Sequence, residues 1–454
     1  MRRLRLSFAL LLVSTAPFLI SPFAEAATAA AKKKKTTKKK YRIPRAPKVS
    51  AKVRAQASEE VSAMLERTAG IPIENPAAMV PFFEQLRRAA SGESSGPLSI
   101  LHYGDSHTAA DDLTGSVRTL LQERFGDGGG GYSLAGRPFA GYRRLDLKSG
   151  ESRGWDSEGL LTRGSDGLYG LGGVSISTQL PRQSIYLQAE CSRLELFYLQ
   201  QPGGGDLQLF DNSEPAGIIS TDGELGPGYF KYDVNPESGP GPHRFELETL
   251  SHAPVRLFGW VTEKDRGVTY ETLGINGAQA SIVFRWDEAL LASHIARRNP
   301  ALIVLAYGTN EAANPDWTQD RYEQMFSALL QRMRAAAPTA SILVVGPPDR
   351  DYRTRGRWLS MEKLDRIVAA QREAAMANRC AFWDMREKMG GKGAMREWVT
   401  AGLAQGDHVH FTTSGYQRLG YTLFRDLMYN YEKYTKVRGE LARAEANDQT
   451  GADH

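Results

Sequence analysis

Cysteine is scarce: the 454 residues include only two, Cys191 and Cys380. No Cys/His spacing resembles a metal site, so neither a metal nor a cofactor is expected. The two thiols can pair in an oxidising compartment, but they fall in different regions and read as separate buried residues. Beyond residue 20 no run is apolar enough to cross a bilayer. Excess positive charge is missing from the body of the chain. The whole sequence carries +5, yet residues 1–40 hold ten Lys or Arg and one acid, which leaves −4 for the rest. A nucleic-acid-binding fold would carry its basic residues on the fold itself. The glycine run Gly126–Gly131 lacks the Lys-Ser/Thr of a phosphate-binding loop, so it reads as a flexible loop lining a cleft. The Gly-x-Ser-x-Gly elbow is absent around Ser106.

The front end is informative. Arg2, Arg3 and Arg5 precede the apolar stretch Leu6–Ile20, and Ala24-Glu25-Ala26 fits a cleavage site, so residues 1–26 read as a secretory signal. The mature protein is then expected in the periplasm or cell envelope, without a transmembrane span. Residues 27–55, rich in Lys, Ala and Pro, read as a disordered linker. Its lysines can make electrostatic contact with an anionic envelope surface.

Two textures follow. In residues 56–141 and 263–436 apolar strands alternate with helices, which implies a parallel sheet covered on both faces. The strands are expected at Ser99–Tyr103, Ala301–Ala306, Ser341–Val345 and Cys380–Trp383. Helices are expected at Glu59–Thr68, Met79–Ala90, Asp111–Phe125, Trp286–Arg298, Gln319–Ala337, Leu359–Asn378 and Thr413–Tyr431. Between them, residues 142–262 carry seven or eight short strands punctuated by turns, the pattern of a β-sandwich or jelly roll. Residues 437–454 form a C-terminal tail. The fold class is therefore α/β: a three-layer α/β/α parallel sheet with an inserted β-sandwich.

Within this frame, Gly104-Asp105-Ser106 follows the first strand and opens a helix. That places a hydroxyl at the carboxyl edge of the sheet, beside free helix N–H groups. Asn310 follows the strand Ala301–Ala306 on the same edge. Gly277 lies at the return from the insert. Asp407 and His410 share one loop before the last helix. A serine hydroxyl needs a base to become a nucleophile. His410 can be that base, with Asp407 fixing its tautomer. The backbone N–H groups of Ser106 and Gly277 and the Asn310 amide can receive the charge that develops on a carbonyl oxygen. Activity is then expected to fall on acidification, because the base must be neutral.

The set Gly104-Asp105-Ser106, Gly277, Gly308-Thr309-Asn310 and Asp407-x-x-His410, in that order, resembles the four blocks of the SGNH, or GDSL, hydrolase superfamily. Within it the layout is similar to bacterial peptidoglycan O-acetylesterases, on Gly-Asp-Ser-His-Thr-Ala-Ala-Asp at 104–111, Gly-Ile-Asn-Gly-Ala at 274–278, Gly-Thr-Asn-Glu at 308–311 and the long β-rich insert. The resemblance implies a serine esterase that removes acetyl groups from the C6 hydroxyl of N-acetylmuramic acid, and a carbohydrate-binding role for the insert. It also implies a cell-wall glycan partner. The alternatives are an esterase or O-acetyltransferase acting on another exported polysaccharide, or a non-catalytic wall-binding protein. The lysine-rich arm departs from the family layout.

The remaining polar residues compete for roles. His408 reads as structural and His102 as a core residue. His107 either contacts substrate or packs. Asp105 braces its turn, and Asn276 and Glu311 can hydrogen-bond within the site.

Overall fold

In the computed structural model the described residues are 43–451, apart from 71–72, 140 and 236–241. The expected signal segment and lysine arm lie outside them. Five strands make a parallel sheet: β1 (Leu98–Gly104), β2 (Val268–Gly274), β3 (Leu302–Ala306), β4 (Ser341–Val345) and β5 (Ala381–Trp383), in the order β2-β1-β3-β4-β5. These strands are near-continuous apolar runs because both faces are covered. Every residue of β1 and β4 is buried. Helices Val80–Ala90, Asp112–Phe125 and Thr413–Gly451 share one apolar cluster with the sheet, and Glu288–Arg298, Gln319–Ala336 and Lys363–Ala377 share the other.

The chain leaves β1, returns as β2 on one side of it, and then crosses to β3 on the other. This reversal is the switch point of a doubly wound sheet, where the carboxyl ends of neighbouring strands part and leave a crevice. β1 and β3 end in register at Gly104 and Ala306. The turn Ser106–Ala109 sits directly on that end. A Cβ at Gly104 would come within 2.7 Å of the Ala306 carbonyl, and one at Gly274 within 2.2 Å of the Ala109 nitrogen. Only glycine permits so close an approach at both strand ends.

Between β1 and β2 two antiparallel sheets are stacked. One runs through Gly226–Asp233, Arg193–Gln200, Val255–Glu263, Val174–Thr178 and Asp156–Gly159, with Gly131–Leu134 also paired to Val255–Glu263. The other runs through Lys148–Glu151, Ser184–Ala189, His243–Thr249, Asp206–Asp211 and Glu214–Ser220. The first sheet is not a free-standing module. Tyr132, Phe197 and Phe258 belong to the same apolar cluster as Tyr103 of β1 and Leu273 of β2. Trp260 is fully buried, so this aromatic serves the sandwich core.

Several boundaries differ from expectation. The β-rich region takes in Gly131–Leu134, ahead of residue 142. β2 itself was not foreseen as a strand, since Val268–Gly274 carries Glu271, which is paired in the interior with Arg298. Residues 51–55, placed in the linker, open the helix Ala51–Arg67, because the Ser50 hydroxyl caps it by accepting from the Val53 N–H. The last helix runs on through the expected tail to Gly451. Leu359 and Ser360 are not helical but close a hairpin, Asp351–Thr354 with Arg357–Ser360. The glycine run does not line a cleft. Gly128–Gly130 are buried, and the Gly128 N–H donates to the Val268 carbonyl at 3.1 Å. Cys191 and Cys380 are both free and buried. No described helix is long and apolar enough to cross a membrane.

Candidate active site

Ser106 begins a single helical turn at the end of β1. Asp105 caps that turn, its carboxylate accepting the His107 N–H at 3.0 Å. This is the bracing role expected of it. Burial pushes the Asp105 carboxyl up to about 6, against the His107 N–H that favours its charge. Asp111, six residues further along the same block, fixes the next helix. Its carboxylate is fully buried and accepts from Arg118, Thr114, Thr272 of β2 and the Leu145 N–H of the insert. Burial raises the Asp111 carboxyl, but the Arg118 and Arg144 guanidiniums together outweigh it and hold it below its ordinary range.

The loop before the last helix brings two of the expected residues to Ser106. The Ser106 Oγ lies 2.9 Å from His410 Nε2, and His410 Nδ1 lies 2.8 Å from Asp407 Oδ2. The other Asp407 oxygen accepts the backbone N–H groups of Val409 and His410, both at 3.0 Å. Asp407 is thereby fixed before it touches the imidazole. Burial raises its carboxyl, and the hydrogen bonds from His410 outweigh that and hold it below the usual range. His410 keeps 35% of its side chain exposed, and Asp407 5%. A hydroxyl, an imidazole and a carboxylate in this chain can move a proton off the hydroxyl and return it to a leaving group.

Opposite lies the second half of the crevice. Gly277 has φ +78°, and a Cβ there would meet nothing within 4 Å, so its backbone faces open space. The amide N–H groups of Ser106 and Gly277 have no protein acceptor among the described residues. The Asn310 Nδ2 donates one hydrogen to the Ala278 carbonyl at 2.8 Å, which fixes the amide and leaves its second hydrogen available. Glu311 ties the two loops together. It has no exposed surface. One oxygen accepts the Ala280 N–H at 2.7 Å, the other the Gly308 N–H at 3.1 Å. Tyr322 donates to the first oxygen at 3.3 Å. Burial pushes the Glu311 carboxyl up to about 7, against the Ala280 N–H.

The competing histidines separate cleanly. His408, with φ +57°, is buried. It stacks on Trp358 at 3.9 Å between ring centroids and bonds Asp351 at 2.9 Å. His107 is buried against Tyr416, 3.0 Å from its hydroxyl, with its ring 5.4 Å from that of His410. His102 sits in the core on the Tyr270 hydroxyl at 2.7 Å. Asn276 lies on the surface beside Gly141, at the lip of the crevice. Among the described residues no group of three or more His, Cys, Asp or Glu could hold a metal ion.

Two residues near the site escaped the reading of the sequence. Arg350 donates to the Thr309 carbonyl at 2.7 Å and so supports the Asn310 turn. Asp351 carries His408. Both follow the carboxyl end of β4, the rim that already held Ser106 and Asn310, and position on that rim was the available signal.

The family described as GDSL-like Lipase/Acylhydrolase matches residues 244–418. That span contains Gly277, Asn310, Asp407 and His410; it begins within the last strands of the insert, and Ser106 lies ahead of the insert. The chain thus carries a GDSL-like lipase/acylhydrolase domain on an SGNH-type α/β fold, with a β-rich insertion between β1 and β2. It is similar to a solved structure, "Peptidoglycan O-acetylesterase in action, 5 min", with 28% identity and a TM-score of 0.67, over 78% of this chain and 96% of that one. A family two carbohydrate esterase from Cellvibrio japonicus is 13% identical over 63% of this chain and 98% of that one, at a TM-score of 0.28. One from Clostridium thermocellum, in complex with cellohexaose, is 11% identical over 62% and 100%, at 0.27. Scores that low carry no argument. No curated protein matches the sequence.

Proposed function

We propose that the protein is an exported serine esterase that removes O-acetyl groups from cell-wall glycan, at the C6 hydroxyl of N-acetylmuramic acid. The observation that carries the chemistry is the hydrogen-bonded series Ser106–His410–Asp407, at 2.9 and 2.8 Å, on the switch-point edge of the sheet. The acceptor sugar rests on the likeness to the peptidoglycan O-acetylesterase.

In this reading Ser106 Oγ attacks the acetyl carbonyl while its proton passes to His410 Nε2. The oxygen of the tetrahedral intermediate takes hydrogen bonds from the Ser106 and Gly277 N–H groups and the Asn310 amide. His410 then protonates the sugar oxygen, the ester bond breaks, and an acetyl-Ser106 remains. Water, deprotonated by His410, attacks that acyl group; acetate leaves and the Ser106 hydroxyl is restored. Asp407 stabilises the imidazolium through both half-reactions. Export rests on the reading of residues 1–26 and on the location of such a substrate.

Acetate release from O-acetylated peptidoglycan, compared between wild type and Ser106→Ala, tests the proposal. The variant is expected to lose about 10⁴-fold or more in kcat. Equal release by both proteins would remove Ser106 from the reaction. Wild-type turnover of an aryl acetate but not of peptidoglycan would redirect the enzyme to another acylated polymer.

A further inference from the structure

Two cavities flank the insert residues that border the crevice. The first, 390 Å³, is mostly apolar; Phe139, Leu160, Leu161, Ile275 and Asn276 line it, so it opens beside Gly277. The second, 370 Å³, is lined by Arg137, Arg143, Arg144 and Lys148, with the rings of Tyr142 and Tyr186, and by no acid. Tyr142 and Phe139, whose ring centroids are 5.7 Å apart, form the ridge between the two. The second cavity also borders the active-site elements. Gly141 abuts Asn276, and Arg143 pairs at 3.1 Å with Asp112, which opens the helix after Ser106.

The four cations are not equally committed. Arg144 is buried and satisfied by Asp146 at 2.8 Å and by the Gly130 and Tyr132 carbonyls. Arg143 keeps 48% of its side chain exposed beside Asp112. Arg137 and Lys148 are exposed and form no ion pair among the described residues. The nearby Glu151 is engaged by the Arg137 backbone N–H at 2.5 Å rather than by its guanidinium. Two unpaired cations and a half-paired third thus converge on one concavity, joined to the active-site elements through the Arg143–Asp112 pair, although the described body as a whole is not basic.

Resting on the esterase reading above, we propose that this cavity is an anion subsite for the carboxylates of the substrate: the peptide branch of the glycan, not its sugars. Acetyl esters on a neutral sugar give a basic pocket nothing to hold. A glycan whose muramic acid carries an acidic peptide does, and the ridge at Phe139 and Tyr142 lies between the ester and that branch. The subsite makes the enzyme discriminate peptide-bearing from peptide-free glycan.

The test measures kcat/KM on soluble O-acetylated glycan fragments with their peptides and on the same fragments stripped by an amidase. Wild type is expected to prefer the peptide-bearing fragments, with a preference that shrinks as salt screens the charges. In Arg137→Glu/Lys148→Glu the ratio of the two values should fall by about ten-fold. Both sites are on the surface, and an unchanged thermal midpoint checks the fold. Binding of the fragments to Ser106→Ala, with and without the two charge reversals, reads the subsite apart from turnover. Weaker binding of only the peptide-bearing fragments supports the subsite, even if wild type releases no acetate and the esterase reading falls. Affinities and ratios unmoved by the charge reversals overturn it, even if acetate is released.

Discussion

On one side of Ser106 the imidazole of His410 keeps a third of its surface in contact with solvent and hangs on a single loop. On the other side Asn310 and Gly277 are tied together by a carboxylate with no exposed surface. In the proposed mechanism the difference follows from what each side must do. A base must gain and lose protons with substrate and water, so it needs access and room to turn. Donors aimed at a developing oxyanion gain from being preset, because reorganising them during the reaction would cost part of what they stabilise. Perturbing the first side should therefore remove chemistry, and perturbing the second should remove alignment.

The largest effect is expected on the exposed side. Asp407→Asn retains an oxygen for the Val409 and His410 N–H groups, so the loop should keep its shape. It replaces the acceptor of His410 Nδ1 and favours the wrong tautomer. A fall of about 10⁴-fold in kcat is expected, with the thermal midpoint nearly unchanged. A fall of less than ten-fold would mean that His410 is not oriented by Asp407. Next comes Asn310→Ala, which deletes one donor and should cost about 10²–10³-fold in kcat with little change in KM. A rise in KM instead would place Asn310 in substrate binding.

Glu311→Gln probes the buried tie. Both Glu311 oxygens accept from backbone N–H groups, and an amide can offer only one acceptor. About a ten-fold loss in kcat is expected, comparable to leaving one buried hydrogen bond unmade. The pH dependence sharpens this. The folded carboxyl lies at about 7, raised from 4.5 by burial. Between those values the folded state holds a proton that the unfolded chain has released, so this group's contribution to stability declines as pH rises through the window. Above about 7 both states are ionised and the decline stops. The wild-type thermal midpoint minus that of the glutamine variant should grow as pH falls from about 7 towards 4.5. In the same range the difference in kcat should narrow, because wild type itself becomes protonated. A parallel pair of stability profiles would show that Glu311 stays ionised in the fold.

The contrast also explains what could be read in the sequence. Ser106, Asn310, Asp407 and His410 were legible because each stands at a strand end or a helix start, where an apolar run stops and a short polar motif begins. The parallel strands β1, β3, β4 and β5 were legible for the same reason. β2 was hidden because its interior carries Glu271, which only the distant Arg298 makes tolerable. The hairpin Asp351–Ser360 was hidden because its Arg-rich exposed face has no strand pattern of its own. Glu311 was marked as a residue of the site, but its role as a tie was not legible, since the Ala280 N–H it holds lies on a different loop. Local motifs announce reacting groups; the groups that hold them are set by contacts between distant segments.

The smallest expected effect concerns the two histidines of one loop. His408 and His410 are two residues apart, yet one is fixed in the interior and the other faces Ser106. His408 adopts a left-handed backbone at φ +57° and is held there by the Trp358 ring, by Asp351 through its side chain, and by the Asp351 N–H donating to its carbonyl at 3.1 Å. The turn carries Asp407 and His410 to Ser106, and His408 holds that turn from its buried side. His408→Ala leaves the Asp351 carboxylate without one partner, and Arg396, at 3.3 Å, remains. A stability loss of about 1–3 kcal/mol is expected from the unsatisfied buried acceptor and the lost stacking, with kcat lowered by less than about ten-fold and KM unmoved. His408→Asn tolerates the left-handed backbone better and should recover part of the stability. If His408→Ala abolished activity while leaving the thermal midpoint in place, His408 would belong to the reaction and the division between the two histidines would be wrong.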